Sequence, residues 1–137
     1  MSNRWMSIFT MLLWVCMPLH NYAQDVDSIL TTAERLRYDQ PDSAMILFSD
    51  IRNQTDIRIH PRRYLRAQHG MGAVEYMQSD YVQAMSIFKK GYEDALAINN
   101  QEFMANSKNG LGLVFLGQKR YEDALKEFES ALEINRK

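Results

Sequence analysis

Six side chains between positions 58 and 69 have the chemistry to hold an anion. Arg58, His60, Arg62, Arg63, Arg66 and His69 stand within one short stretch, with no acid among them. Arg62, Arg66 and His69 follow one another at spacings of four and three, which puts them on one face of a helix. A guanidinium presents parallel N–H donors that match a carboxylate, so such a face suits the capture of acidic groups. The competing reading is a solvated basic face balanced by acids elsewhere, such as Asp50 and Glu93, which is what most charge runs are. Metal chemistry is not expected. His60 and His69 are widely spaced, with no second pair and no acid at the spacing a metal site needs.

No pattern of an enzyme stands elsewhere in the chain. There is no glycine-rich phosphate loop behind a strand, no Gly-x-Ser-x-Gly elbow and no His-Glu-x-x-His run. Gly70, Gly72, Gly110 and Gly112 fall inside helical patterns, whereas a phosphate loop requires a preceding strand. Carboxylate pairs such as Glu122-Asp123 stand at helix starts, where they complement the helix dipole. The chain is therefore read as a non-enzyme without a cofactor.

The elements that must position the basic face announce themselves by a period. Ala44 and Phe48, Ala84 and Phe88, Ala124 and Phe128 are pairs one helical turn apart, and the pairs recur at a constant interval. Tyr81 and Tyr121 precede their alanines by three, and Gly72 and Gly112 by twelve. The first copy is worn, with Thr32 at the glycine position, Pro41 at the tyrosine position and Ile51 where the others have Gly91 and Ala131. A fixed period of this size marks a stacked repeat array. Each copy reads as two helices, over 25–38 and 41–53, 61–78 and 80–99, 101–117 and 120–136. Met85, Phe88, Tyr92, Ala95 and Leu96 keep helical spacing, and strand-like alternation is absent. Pro41 and Pro61 suit a first helical turn, where a missing N–H costs nothing. Glycine and alanine let paired helices approach, and Phe88 and Phe128 fill the remaining volume. Core packing is accordingly expected for Tyr81, Tyr121, Phe88 and Phe128.

The third copy, with Leu111-Gly112, Phe115, Tyr121, Ala124, Phe128 and Ala131, resembles a tetratricopeptide repeat. The second resembles it through Gly72, Tyr81, Ala84 and Phe88, but has Glu75 at the aromatic position and Gly91 at the last small one. The first matches only at Ala44 and Phe48. The period is 40 rather than the usual length of about 34 residues, and Arg136 replaces the proline that commonly closes the repeat. The resemblance implies an all-α fold, an α-solenoid of about three stacked helix-turn-helix repeats, spanning roughly 25–60, 61–100 and 101–137. It also implies a concave groove lined by the first helix of each repeat. Arg66, His69 and Tyr76 would line it, with Asn106 and Asn109 from the next repeat. Asparagine can hold a peptide backbone, so the implied ligand is a protein or extended peptide carrying acidic groups. The lysine–asparagine clamp of chaperone-binding members is not reproduced, so that partner class is not implied.

Residues 1–23 are of another kind. Arg4 gives a positive start, Ile8 to Met17 is mostly apolar and uncharged, and Ala23 offers a small residue for cleavage before Gln24. This is the layout of a secretory signal peptide, and the apolar run is short against the ~20 residues that span a bilayer. The expected mature domain is 24–137, exported to the periplasm or cell surface, with an Ala-Gln junction resembling signals of Bacteroidetes-type bacteria and with no stable membrane span. Cys16, the only cysteine, follows Val15, where bacterial lipid attachment needs a small residue, so a lipoprotein is not expected. A mature chain from residue 24 has no cysteine for a disulfide or thiolate site. Asn53-Gln54-Thr55 matches a glycosylation acceptor, a motif short enough to arise by chance. The formal net charge of −1 gives no case for nucleic acid. Repeat arrays normally end in a polar cap, and none follows Lys137. The open end could mark a fragment, pair with a second copy as a homo-oligomer, or be covered by polar residues of the last helix such as Lys126 and Glu129. The expected function is an exported interaction scaffold, the alternative being the N-terminal sensory region of a larger signalling protein.

Overall fold

The computed structural model describes residues 25–136, and the signal-peptide reading of 1–23 lies outside them. Six helices follow in order among the described residues, with no strand. Helix α1 covers 25–39, α2 Pro41–Gln54, α3 Pro61–Met77, α4 Tyr81–Ala97, α5 Gln101–Gly117 and α6 Tyr121–Asn135. The boundaries differ from those read in the sequence by two positions at most. None of the helices is long and apolar enough to cross a membrane.

Local chemistry sets the ends. Pro41 and Pro61 open α2 and α3. Asp80 and Asn100 cap α4 and α5 by accepting from the backbone N–H of Gln83 and Phe103, which satisfies donors the first turn leaves open. The exits of α3, α4 and α5 share one device. Ser79, Asn99 and Lys119 take positive φ of 64°, 54° and 61°. The next residue's N–H then bonds back into the last turn of the helix, Asp80 to the Glu75 carbonyl, Asn100 to Ala95 and Arg120 to Phe115, at 2.8–2.9 Å. This is the Schellman closure, which usually employs glycine at the left-handed position.

Successive helices pack antiparallel, and α3 also reaches α5, so the first helices of consecutive copies lie side by side. The glycines explain how. A Cβ on Gly72 would stand 2.7 Å from the Phe88 ring, and one on Gly110 would stand 2.5 Å from the same ring. Phe88 is thus gripped by the α3 of its own repeat and the α5 of the next. Gly70 faces Phe48, and Gly112 faces Phe128, each at 2.5 Å. Each Gly-x-Gly therefore serves two seams, one glycine for the preceding repeat's phenylalanine and one for its own. Phe48, Phe88, Ala44, Ala84 and Ala124 are buried as the period predicts. Tyr121 departs from expectation, being 64% exposed. Its counterpart Tyr81 is covered by Gly117 at the end of α5, and no described helix follows α6 to do the same for Tyr121.

Candidate functional site

The first helices of the three copies share a cavity of about 190 Å³. Glu34 and Arg37 come from α1, Arg62, Arg66 and His69 from α3, and Glu102, Phe103 and Asn106 from α5. A neighbouring cavity of about 300 Å³, lined by Asp27, His60 and Arg63, shares Arg62 and Arg66 with it. The helical spacing of Arg62, Arg66 and His69 is what aims all three at the same space.

Three of the four arginines of the basic cluster are paired across helices. Arg66 donates to Glu34 through Nη2 at 2.9 Å and Nε at 3.3 Å. Arg63 makes two bonds to Asp27, at 3.2 and 3.3 Å. Arg62 meets Glu102 at 3.5 Å, with both side chains more than half exposed, a geometry that stabilises little. Arg58 folds back on Asp56, and its backbone and side-chain hydrogen bonds hold that carboxyl below the usual range. The acids that balance the run are thus Asp27, Glu34, Asp56 and Glu102, rather than Asp50 and Glu93.

Arg37 differs from the others. Its guanidinium donates to the Tyr38 hydroxyl at 3.1 Å and lies 5.0 Å over the Tyr38 ring. It makes no salt bridge among the described residues, and its Nε is buried without a partner. Of three guanidiniums around the cavity, two face carboxylates, so the charge of Arg37 is the uncompensated one. His69 lies beside it, 5.3 Å from the Phe88 ring between centroids. Burial, and then the Arg37 charge, hold its imidazole below the ordinary range, against opposing pulls from the Asn106 backbone and Glu34. The site therefore presents one uncompensated guanidinium, a neutral imidazole and a primary amide, a set able to bind a carboxylate and a peptide group. Among the described residues no group of three or more His, Cys, Asp or Glu is placed to hold a metal.

Of the residues nominated from sequence, Arg66, His69 and Asn106 are brought together here. Tyr76 lies two turns beyond His69, with its ring 6.0 Å from that of Tyr81, packed with the Phe88 core. Asn109 is exposed one turn beyond Asn106, off the cavity lining. Glu34, Arg37, Glu102 and Phe103 went unnominated. Arg62 and Glu102 carry opposite charges one period apart, a signal that could have paired them. Arg37 stands alone in the sequence and carries no such signal.

The sequence model of the tetratricopeptide repeat family matches residues 63–137. The chain belongs to the tetratricopeptide repeat family. The match takes in nearly all of α3 and everything after it, and it leaves out the first copy, where the motif is most worn. No curated protein and no solved structure matches the chain significantly. Tetratricopeptide repeats generally mediate protein–protein interaction, and their all-α fold is typically a non-catalytic scaffold. Arg37, Arg66, His69 and Asn106 all come from the first helices of their copies, α1, α3 and α5.

Proposed function

We propose that this tetratricopeptide protein is an exported scaffold that binds an extended acidic segment of another protein along the α1–α3–α5 groove. The observation that carries the reading is the charge balance of the cavity, where Arg37 keeps a guanidinium free of any carboxylate. A ligand carboxylate would take the open N–H donors of Arg37. The Asn106 amide and the neutral His69 ring would receive the adjoining peptide group. Arg66, engaged by Glu34, acts as a positioning residue that ties α1 to α3. Export rests on the charge, apolar run and small residue of 1–23.

Acidic and neutral peptides of equal length, titrated by fluorescence anisotropy, separate the outcomes. A hydrogen bond to a charged group contributes about 1.5–3 kcal/mol, so Arg37→Gln should weaken acidic-peptide binding by about 10-fold or more, with little effect on the neutral peptide. Arg66→Gln should weaken it less. Equal affinity of wild type and Arg37→Gln would overturn the site. For export, a mature protein whose N-terminus is still Met1 would overturn that part.

A further inference from the structure

The cavity of about 300 Å³ at the start of α3 adjoins the groove, with Arg62 and Arg66 lining both. Its cations are unequally committed. Arg66 is engaged by Glu34, and Arg63 by Asp27. Arg62 is held more loosely. Its contact with Glu102 runs through Nη1 at 3.5 Å, with 71% and 54% of the two side chains exposed, and it makes no hydrogen bond among the described residues. The Nε and Nη2 edge of its guanidinium is therefore open. His60 lies on the same cavity, exposed, and its ring has no partner among the described residues. An imidazole keeps one N–H donor even when neutral. The start of α3 adds to the positive field, because no acid stands in its first turn and no side chain caps it. Ile59 and Pro61 give the cavity an apolar wall.

We infer that this cavity is a second acidic subsite of the groove, and that the segment bound there is extended and carries two carboxylates three residues apart. Arg37 receives one and Arg62, with His60, the other, an assignment that rests on the acidic-segment reading of the groove. The spacing follows from α3. Arg62 precedes His69 by seven residues, about 10.5 Å along a helix, and Arg37 lies beside His69. A polyproline II segment has three residues per turn and advances about 3.1 Å with each. Its residues i and i+3 thus stand on one side, about 9 Å apart. A β-strand puts i and i+2 on one side about 7 Å apart, and i and i+4 about 13 Å apart. Neither strand spacing matches as well. Glutamate suits the second position, because its methylenes can lie along Ile59 and Pro61 while its carboxylate meets the open edge of Arg62. Asp27 does not compete for that edge, since Arg63 holds it.

The test uses short labelled peptides on a proline–alanine background, with one glutamate or with a second at i+2, i+3 or i+4. Each is titrated into the full chain by fluorescence anisotropy at low salt. The i+3 peptide should bind about 5-fold tighter than the single-glutamate peptide, the upper end for an exposed ion pair, and tighter than the other two pairs. In Arg62→Gln the i+3 and single-glutamate peptides should bind alike. Arg62 is exposed, so the variant should keep the helical circular dichroism of wild type. A gain below about 2-fold at i+3, with single-glutamate binding still dependent on Arg37, overturns the second subsite and leaves the groove reading standing. An equal gain at all three spacings, or a gain that Arg62→Gln keeps, also overturns it, since general attraction to the basic face would then suffice. Failure of every acidic peptide to bind overturns the groove reading and the second subsite together.

Discussion

Gly110→Ala sets two effects of opposite sign against each other. In an exposed helix interior, alanine for glycine stabilises by about 1 kcal/mol through backbone entropy. At position 110 the new Cβ would lie 2.5 Å from Cδ1 and Cε1 of Phe88, well inside ordinary contact. The ring cannot retreat, because Gly72 grips its other side and His69 stands 5.3 Å away. Overpacking of a filled core costs about 1–3 kcal/mol, and an aromatic ring held on both sides belongs at the upper end. The net expectation is a loss of about 1–2 kcal/mol. Gly91→Ala is the matched control. Its Cβ would meet Ser107 Oγ at 3.1 Å and Gln68 Cγ at 3.5 Å, and a hydroxyl can rotate aside. Alanine also stands at the corresponding Ala131. This variant should gain about 0.5–1 kcal/mol. Urea unfolding followed by circular dichroism at neutral pH measures both. Adding Phe88→Leu to Gly110→Ala should recover stability relative to the sum of the single changes, with a coupling of about 1 kcal/mol. If Gly110→Ala proves as stable as wild type, the glycine–phenylalanine account of the period is wrong.

Two further outcomes test other parts of the structure. Lys119 holds φ at 61°, a left-handed conformation that costs an L-residue about 1–2 kcal/mol. Lys119→Gly should therefore raise the urea midpoint by the equivalent of about 0.5–1 kcal/mol, after glycine's own entropy cost, and a lowered midpoint would contradict the turn geometry. His69 is held below its usual value of 6.5, so the fold favours the neutral ring. That contribution is complete above the unfolded value and is lost as pH falls from there toward the folded one. Lowering the pH from about 7.5 to 5.5 should reduce stability in wild type and reduce it less in His69→Gln. Glu75, raised by burial and by Asp80, contributes with the opposite sign at lower pH, so the comparison is between the two proteins at each pH. An identical pH slope in both would refute the role assigned to His69.

The fold was legible because its determinants are local and periodic. Pro41 and Pro61 mark helix starts by the missing N–H, and the Ala–Phe pairs mark the buried face by spacing alone. The first glycine of each Gly-x-Gly was not read as a seam residue, because its partner phenylalanine belongs to the preceding copy and lies on another helix, as with Gly110 and Phe88. Tyr121 was read as core because periodicity reports what a position is built to contact, whatever covers it in this chain. The turn residues Ser79 and Lys119 gave no warning of positive φ, since neither is of the usual type, whereas Asn99 did. The site was legible in part. The basic face of Arg62, Arg66 and His69 follows from helical spacing. Its neutralisation by Asp27, Glu34 and Glu102 does not, because those partners lie about a repeat away in the chain and belong to other helices.

The charge pairs in the groove bear on which arginine can receive a ligand. Arg66 and Glu34 join α3 to α1, and at 2.9 Å with two bonds between partly buried groups this is the best-formed link across that seam. A ligand carboxylate arriving at Arg66 would have to displace Glu34, leaving an acid in the groove to repel it. The exchange would trade one carboxylate for another at the cost of a helix contact. At Arg37 no acid has to leave. Its guanidinium donates to the Tyr38 hydroxyl and makes no salt bridge among the described residues, so a carboxylate there meets no competing acid, and Glu34 and Glu102 remain engaged. The asymmetry explains why a cluster rich in arginine need not bind acids at its densest point. It also gives a sharper expectation for the paired variants. Glu34→Gln should free Arg66 and tighten acidic-peptide binding while loosening α1, and Arg37→Gln in that background should remove less of the affinity than it does in wild type. Equal losses in the two backgrounds would mean that Arg66 and Glu34 take no part in selecting the ligand.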